Sequence, residues 1–181
     1  MNTIIFVLAL TLLFCCSLFI EGAKQKKAVI DFNVLEIENF YKELAQISYN
    51  INYTEQNIST LNVNLVLNED VKSINGAFNL RILHAGKYRN FTGIEFDCEV
   101  LGMIYNHYIL NIVFAGLRSS SNLPLRCPFI KNKLYYLNGF KIVTNLIPSY
   151  FPGVSFQTYA TISYNQRLIM GITTRGKLRR I

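Results

Sequence analysis

Few side chains in this 181-residue chain offer acid–base or nucleophilic chemistry. The histidines are His84 and His107, and neither belongs to a His-x-x-x-His or His-Glu-x-x-His motif, the spacings that bring two imidazoles onto one metal ion. The chain also lacks the Gly-x-Ser-x-Gly turn of hydrolases and the glycine-rich loops that bind phosphates. We therefore expect a protein that is not an enzyme and that uses neither a cofactor nor a metal ion.

Carboxylates offer one conceivable site, on either side of Cys98. Asp97 and Glu99 are two positions apart, and residues with that spacing share one face of a strand, as an acid–base pair requires. A solvated turn beside a disulfide is the simpler interpretation, and we favour it. No acidic residue follows Glu99, so residues 101–181 have basic side chains without acidic ones.

The amino terminus indicates export from the cell. Residues 4–20 form an uncharged apolar run that is followed by Glu21, Gly22 and Ala23 and then by three lysines. This pattern is typical of a secretory signal peptide, which we place at residues 1–22 with a single domain at residues 23–181. Cleavage after Ser17 or Ala23 is equally consistent with the pattern. The alternative is a membrane anchor at residues 4–20, although this run is slightly short for a bilayer.

Export determines how the four cysteines are interpreted. Cys15 and Cys16 fall within the signal, which leaves Cys98 and Cys127 in the mature chain. Two cysteines in an exported chain predict one disulfide, with two buried free thiols as the alternative. They are too few for a structural zinc site, which has four ligands.

Three Asn-x-Ser/Thr sequons predict N-glycosylation at Asn52, Asn57 and Asn90. Asn52 lies on the polar side of an alternating segment, where a glycan would point into water. These sequons agree with the secreted, extracellular location that the signal predicts.

Alternation of apolar and polar residues is the dominant pattern of the chain, as in Ile47, Tyr49 and Ile51 with polar residues between them. Such alternation is typical of antiparallel strands with one face in a core and one face in water. We predict eight strands, at residues 28–35, 47–53, 61–65, 78–82, 88–96, 133–143, 154–164 and 167–174. The predicted fold class is therefore mainly β, a sandwich or a barrel.

One segment has helical spacing instead. Between Met103 and Leu117, apolar residues recur three and four positions apart, which predicts one helix between the two cysteines of the mature chain. Asn75-Gly76 predicts a tight turn between two strands. Asn138-Gly139 predicts a bend or bulge within the strand at residues 133–143.

The chain is basic, with 18 Lys and Arg against 11 Asp and Glu and a net charge of +7. Basic residues cluster near the two ends, at residues 24–27 and 175–180. Export argues against nucleic acid as a partner, so we expect none. Anionic lipid headgroups or acidic glycans fit the compartment, but solvated termini that aid solubility are the simpler interpretation.

Several short motifs resemble those of a large insect family of small secreted proteins. The motifs are Asp97-Cys98-Glu99-Val100-Leu101, Ser121-Asn122-Leu123-Pro124, Cys127-Pro128-Phe129, Tyr135-Tyr136, Ile147-Pro148, Tyr150 and Pro152-Gly153. The family is mostly uncharacterised, includes the CheB-type chemosensory proteins, and is similar to the ganglioside-activator branch of lipid-recognition (ML) domains. The resemblance spans residues 60–174. Residues 24–67 depart from it because they lack the additional cysteines that family members often have.

The resemblance implies an immunoglobulin-like, two-sheet antiparallel β-sandwich that opens between its sheets to hold a lipid or other apolar molecule. We therefore predict a secreted, non-enzymatic, chemosensory-type protein that binds a lipid or other apolar small molecule. Contact with a membrane surface or a receptor is compatible with this prediction, and the sequence does not specify an oligomeric state. The alternative is an extracellular protein–protein interaction module with a filled core, acting on a receptor or channel. The 13 Phe and 11 Tyr of the chain are compatible with either function, since they can fill a core or line an apolar cavity. The residues predicted to line the ligand site are Phe78, Leu80, Phe96, Ile112, Phe129 and Phe156.

Overall fold

The structure is a computed structural model that describes residues 28–54, 58–98, 108–124, 126–142, 144, 147 and 151–181. Eight strands and one helix occur in this part of the chain. The strands are β1 (Ala28–Asn39), β2 (Ala45–Tyr53), β3 (Ser59–Leu67), β4 (Asn75–His84), β5 (Lys87–Asp97), β6 (Leu134–Phe140), β7 (Val154–Tyr164) and β8 (Arg167–Arg180). The helix, α1 (Tyr108–Ser120), lies between β5 and β6.

The strands form two antiparallel sheets that pack face to face as a β-sandwich. One sheet has five strands in the order β1-β8-β7-β4-β5, and the other has three in the order β2-β3-β6. This arrangement confirms the predicted fold class and all eight strands. It follows from the alternation in the sequence, because an antiparallel sheet with one apolar face is stable only when that face packs on another layer.

Pairing between β1 and β8 sets the ends of these two strands. Ala28 lies opposite Arg180 and Asn39 lies opposite Met170, so each strand continues beyond its predicted end. Residues 175–180 therefore form the second half of β8, and their interpretation as a solvated terminus is wrong. Gly176 and Leu178 are buried and alternate with exposed Arg175, Lys177 and Arg179, but glycine and basic residues give a weak strand signal and the backbone partner is distant in sequence.

The predicted turn at Asn75-Gly76 is also wrong. Both residues lie at the start of β4, where Asn75 pairs with Asp97 and Gly76 pairs with Phe96 of β5. A Cβ atom on Gly76 would lie 2.5 Å from Cε2 of Phe96 and 2.7 Å from the carbonyl oxygen of Thr161. Glycine at this position therefore permits the Phe96 ring to lie against the backbone of β4.

The other two local predictions agree with the structure where it describes them. The helix ends at Ser120 rather than Leu117, and the predicted residues 103–107 lie outside the described residues. The bulge at Asn138-Gly139 is confirmed, because the register between β3 and β6 shifts opposite these residues. Gly139 has a φ of 65°, a conformation that glycine adopts without steric cost, and its N–H donates to Oδ1 of Asn62.

The core consists of two buried clusters. The disulfide-end cluster contains Leu44, Ala45, Leu67, Val71, Ile74, Phe129, Tyr135, Ile169 and Met170, with Cys98 and Cys127 packed against it. The phenylalanine cluster contains Phe32, Leu61, Phe140 and Phe156. Phe156 of the phenylalanine cluster and Ile162, which packs against the disulfide-end cluster, are six residues apart along β7. The two clusters are therefore separated by about 20 Å of extended chain.

Aromatic rings from three strands meet in the phenylalanine cluster. The ring centroid of Phe32 lies 6.0 Å from that of Phe140 and 5.9 Å from that of Phe156. These separations are typical of favourable tilted and edge-to-face contacts. The cluster therefore joins β1 and β7 of one sheet to β6 of the other.

A hydrogen-bonded junction connects the two sheets beside β1. The N–H of Phe32 donates to Oγ of Ser59 on β3, and Ser59 is completely buried. The hydroxyl of Tyr53 on β2 donates to the carbonyl oxygen of Phe32. The irregular register of β1 between Phe32 and Val34 occurs at this junction.

The predicted disulfide between Cys98 and Cys127 is confirmed, with 5.5 Å between the two Cα atoms. Cys98 follows β5 directly, and Cys127 lies two residues before Phe129, which pairs with Val71. The bridge therefore anchors the chain on either side of α1 to the disulfide-end cluster.

Replacing both cysteines, by Cys98→Ser with Cys127→Ser, is expected to lower the free energy of unfolding by about 3.5 kcal/mol, because the bridge restricts the unfolded chain. The two cysteines are 29 positions apart. Urea unfolding measures the effect. Wild-type protein under reducing conditions is the control and should unfold at the same urea concentration as the variant, and a reduced protein as stable as the oxidised one would contradict the prediction.

Gly176→Ala is expected to lower the free energy of unfolding by roughly 1–3 kcal/mol through overpacking. A Cβ atom here would lie 2.7 Å from Cζ of Phe156 and would also press on the carbonyl oxygen of Asp31. Gly93→Ala is the matched control, because its Cβ would meet only the flexible side chain of Asn79. Thermal unfolding compares the two variants, and equal losses would contradict this account of Gly176.

Candidate ligand-binding site

The antiparallel register arranges the inner-face side chains of the five-stranded sheet in rows that run across the strands. Across β1, β8, β7 and β4, the row at one end contains Phe32, Gly176, Phe156 and Ile82. Across β8, β7, β4 and β5, the row at the other end contains Met170, Ile162, Gly76 and Phe96. Two further rows lie between them.

The first of these middle rows contains hydroxyl groups. Thr174, Thr158, Leu80 and Thr92 lie opposite one another on β8, β7, β4 and β5. The hydroxyls of Thr158 and Thr174 are hydrogen-bonded to each other at 2.6 Å, and Thr174 is buried. The middle of the inner face therefore has polar groups between two apolar ends.

The second middle row is apolar and includes one small residue. Ile172, Ala160, Phe78 and Ile94 lie opposite one another on β8, β7, β4 and β5. Phe78 and Ile94 are only half-buried. Ala160, which has a short side chain, lies directly opposite Phe78.

The three-stranded sheet covers only part of this inner face. Its buried residues, which include Leu61, Tyr135 and Phe140, pack in the two clusters. By contrast, no residue of β4 or β5 is buried, although β4 has a hydrogen-bonded neighbour on each side. An interior strand of a sandwich ordinarily buries its inward side chains. We refer to Phe78, Leu80, Ile82, Ile94 and Phe96 as the β4–β5 inner face.

The structure divides the six predicted ligand-lining residues into three groups. Phe78, Leu80 and Phe96 come together on the β4–β5 inner face. Ile112 is buried on α1. This helix packs against β6, and its Gly116 lies against the ring of Phe140. Phe156 and Phe129 belong to different clusters at opposite ends of the sandwich.

Phe129 is held by contacts on several sides. Its ring centroid lies 5.4 Å from that of Tyr135, and its N–H and carbonyl oxygen are both hydrogen-bonded to Val71. Phe156 is similarly packed on Phe32. These two aromatic side chains fill the core, whereas Phe78 and Phe96 are half-buried, and Phe96 packs at the margin of the disulfide-end cluster.

Sequence reasoning missed other residues of the middle rows. Ile94 alternates with Phe96 along β5, so the same period-two pattern identifies it. Thr158 and Ala160 give no comparable signal, because short side chains contribute little to an apolar pattern. Their position became apparent only from the register of β7 against β4 and β8.

A separate concavity of about 430 Å³ lies at the disulfide end of β4, β5 and β7. Its lining combines two carboxylates and three uncharged polar side chains with Gly76, Ala77 and Phe96; the polar residues are Asn75, Glu95, Asp97, Thr161 and Ser163. Asp97 shares its strand face with Glu95, while Glu99, the partner considered from the sequence, lies outside the described residues. Within the described residues, no three His, Cys, Asp or Glu side chains are placed to hold a metal ion.

The remaining predicted sites are only partly described. Asn52 on β2 and Asn90 on β5 are exposed, as glycosylation requires, while Asn57, His107 and the predicted signal peptide lie outside the described residues. His84 is exposed at the end of β4. In the part of the chain that the structure describes, no helix has the length and apolar character needed to cross a membrane.

Part of the chain that includes the candidate site is similar to a known sequence family. Residues 74–158 match the model of a family described as Protein of unknown function (DUF1091). This segment includes β4, β5, α1, β6 and the beginning of β7, and it contains both cysteines of the disulfide and all six predicted ligand-lining residues. No curated protein matches the chain. The segment similar to DUF1091 is thus the part of the sandwich that includes the half-buried β4–β5 inner face.

Proposed function

We propose that the protein binds a neutral apolar molecule along the β4–β5 inner face. The observation that supports this most directly is the lack of any buried residue in β4, which is an interior strand of its sheet. Half-buried aromatic and aliphatic side chains that face the interior of a sandwich are typical of a ligand site, because such sites are concave and mostly apolar.

Hydrophobic transfer supplies the driving force for such binding. Each CH₂ group moved out of water contributes about 0.8 kcal/mol, so an acyl chain of about 16 carbons gains more than the cost of ordering it. Phe78, Leu80 and Ile94 provide apolar contact surface for the ligand. The ring of Phe96 forms the end of this surface on the side of the disulfide. The ligand class that fits is therefore a long hydrocarbon chain.

The polar residues of the inner face favour a neutral head group. The two middle rows contain no charged side chain, and Arg89, which lies opposite Ile82 in the next row, is exposed to solvent. A buried carboxylate without a cationic partner is strongly disfavoured. The hydroxyls of Thr158 and Thr174 can still accept or donate a hydrogen bond, so an alcohol, ester or hydrocarbon suits the site better than an ionised fatty acid.

The features that suggest export agree with this function. An apolar amino-terminal run and a disulfide are both typical of secreted chains. The resemblance to the insect family with CheB-type members, and through it to ML lipid-recognition domains, supports a chemosensory carrier of small apolar molecules. We propose a secreted, non-enzymatic binding protein on these grounds.

The alternative is an extracellular interaction module with a filled core. The tight ring contacts of Phe32 with Phe140 and Phe156 favour it at one end of the sandwich. A filled core would, however, bury the inward side chains of β4 as it buries those of β8. Apolar ligand binding therefore explains more of the observed burial.

Protein secreted from insect cells is expected to retain an apolar molecule that native mass spectrometry detects. Added hexadecanol should raise the melting temperature, because a bound ligand stabilises the folded state. Palmitate at neutral pH should raise it less, since the two middle rows of the inner face offer its carboxylate no cation. Absence of both a retained mass and a hexadecanol-dependent shift would overturn the proposal.

Ile94→Trp is expected to abolish the hexadecanol shift, because the indole would occupy the space beside Phe78. Leu83→Trp is the matched control, since Leu83 is an exposed aliphatic residue on the outer side of β4, and it should respond as wild type. Ala160→Leu, opposite Phe78 on β7, provides a second blocking variant if Ile94→Trp does not fold. A full shift in a folded blocking variant would exclude this location for the ligand.

A further inference from the structure

The outer face of the five-stranded sheet has acidic residues at one end and basic residues at the other. At the disulfide end, the register places Glu38 opposite Gly171, which is followed across β7 and β4 by Thr161, Ala77 and then Glu95. Basic residues occupy the opposite end, on β4 and β8. This division arises from the fold, because the basic residues of β4 and β8 are far apart in sequence.

One transverse row at the basic end alternates guanidinium and amide groups. Arg175, Gln157, Arg81 and Asn90 lie opposite one another on β8, β7, β4 and β5. Neighbouring strands are about 4.8 Å apart, so the Cα atoms of Arg175 and Arg81 are roughly 10 Å apart with Gln157 between them. Lys177 lies two residues further along β8, opposite Ser155. We refer to four of these residues, Arg81, Gln157, Arg175 and Lys177, as the cationic row; Asn90, a predicted glycosylation site, is not part of it.

The three basic side chains of the cationic row are exposed and have no carboxylate partner among the described residues. Their neighbour Arg179 differs, because it forms an ion pair with Asp31. The hydrogen bond that Arg179 donates to Asp31, together with the negative charge of Asp31, raises the pKa of Arg179. Arg81 and Arg175 thus present unneutralised positive charge on one face of the sheet, whereas Lys177 lies opposite Asp31 of β1 without an ion pair to it.

We propose that the cationic row binds a linear sulfated glycan that crosses β8, β7 and β4. Guanidinium groups form paired hydrogen bonds with tetrahedral oxyanions and planar carboxylates, which lysine cannot match. An amide between two guanidiniums can both donate to and accept from sugar hydroxyls. A glycan chain that presents a sulfate, then a hydroxyl and then a second sulfate therefore matches this row. The two sulfates would bind Arg175 and Arg81, and the hydroxyl would bind Gln157.

The acidic end of the face determines the direction of the glycan. A polyanion running along β8 from Lys177 toward the disulfide end would approach Glu36 and Glu38 on the adjacent β1. Like charges at such short separation repel. A chain that crosses the strands at the basic end avoids both carboxylates, so the transverse direction is favoured.

The geometry favours a flexible glycan over a flat membrane. Adjacent strands in a sheet are rotated by roughly 20–25°, so Arg175 and Arg81, two strands apart, leave the sheet in directions that differ by about twice that angle. A linear chain can follow this twist, whereas a planar bilayer cannot contact both residues equally. Between the two arginines the outer face presents Gln157, which is polar, and not the apolar residues that membrane surfaces select.

Chromatography on immobilised heparin tests the proposal with the full secreted protein. Arg81→Gln with Arg175→Gln is expected to elute at distinctly lower salt and to weaken heparin binding roughly tenfold, since each exposed charge contributes a few-fold. The matched control is Arg118→Gln with Arg126→Gln, which removes the same charge from two exposed arginines outside the five-stranded sheet. It should elute close to wild type. Equal losses in both double variants would show a general charge effect and overturn the proposal.

Two further measurements separate the partner from its alternatives. Fully desulfated heparin should not bind, and vesicles of phosphatidylcholine and phosphatidylserine should bind without dependence on Arg81 and Arg175. Vesicle binding that requires both arginines, without heparin binding, would identify a membrane surface and overturn the glycan proposal. The vesicle experiment is needed because Leu83 is exposed near Arg81, and an apolar residue beside a basic one is also typical of a membrane-binding surface.

A glycan attached to Asn90 would lie at one end of the cationic row. Asn90→Gln is therefore measured in parallel, and it should retain heparin at least as strongly as wild type. Weaker retention in Asn90→Gln would mean that the attached glycan, and not the arginines, interacts with the column. The hexadecanol shift should persist in Arg81→Gln with Arg175→Gln, so failure of this proposal and failure of apolar ligand binding are distinguishable.

Discussion

The unequal width of the two sheets is the constraint on which the rest of the structure depends. A five-stranded sheet with an apolar inner face packs against a sheet of only three strands. Apolar surface left in water costs about 25 cal/mol per Å², so uncovered strands need another partner. Here the inner faces of β1, β8 and β7 contribute to buried clusters, whereas every inward residue of β4 and β5 remains at least partly accessible.

The position of the smaller sheet follows from its junction with β1. Ser59 and Tyr53 are hydrogen-bonded to the backbone of Phe32, so β2 and β3 lie beside the edge strand of the larger sheet. The rings of Phe32, Phe140 and Phe156 then place β6 over β1 and β7. Three strands that begin at this edge do not extend across five, so the inner faces of β4 and β5 are only half-buried, with Leu80 and Ile82 at the margin of the phenylalanine cluster.

Local patterns predicted the strands well, because one alternating apolar face is sufficient to identify a strand in an antiparallel sheet. The disulfide also followed from the sequence, since only two cysteines remain after the predicted signal. Pairing could not be predicted, because it depends on contacts between distant segments. Gly76 therefore suggested a turn although it accommodates Phe96, and the convergence of Arg81 with Arg175 had no counterpart in any local motif.

The same three strands form both proposed sites, because successive side chains on a strand point to opposite faces. On β7, Gln157 faces outward between two arginines, and Thr158 faces inward, where it is hydrogen-bonded to Thr174. The ionic chemistry outside and the neutral chemistry inside are thus separated by the thickness of one sheet. A charge removed from the outer face leaves the inner contacts unchanged, and a larger residue on the inner face leaves the outer charges in place. The two functions therefore depend on one register but not on each other's side chains.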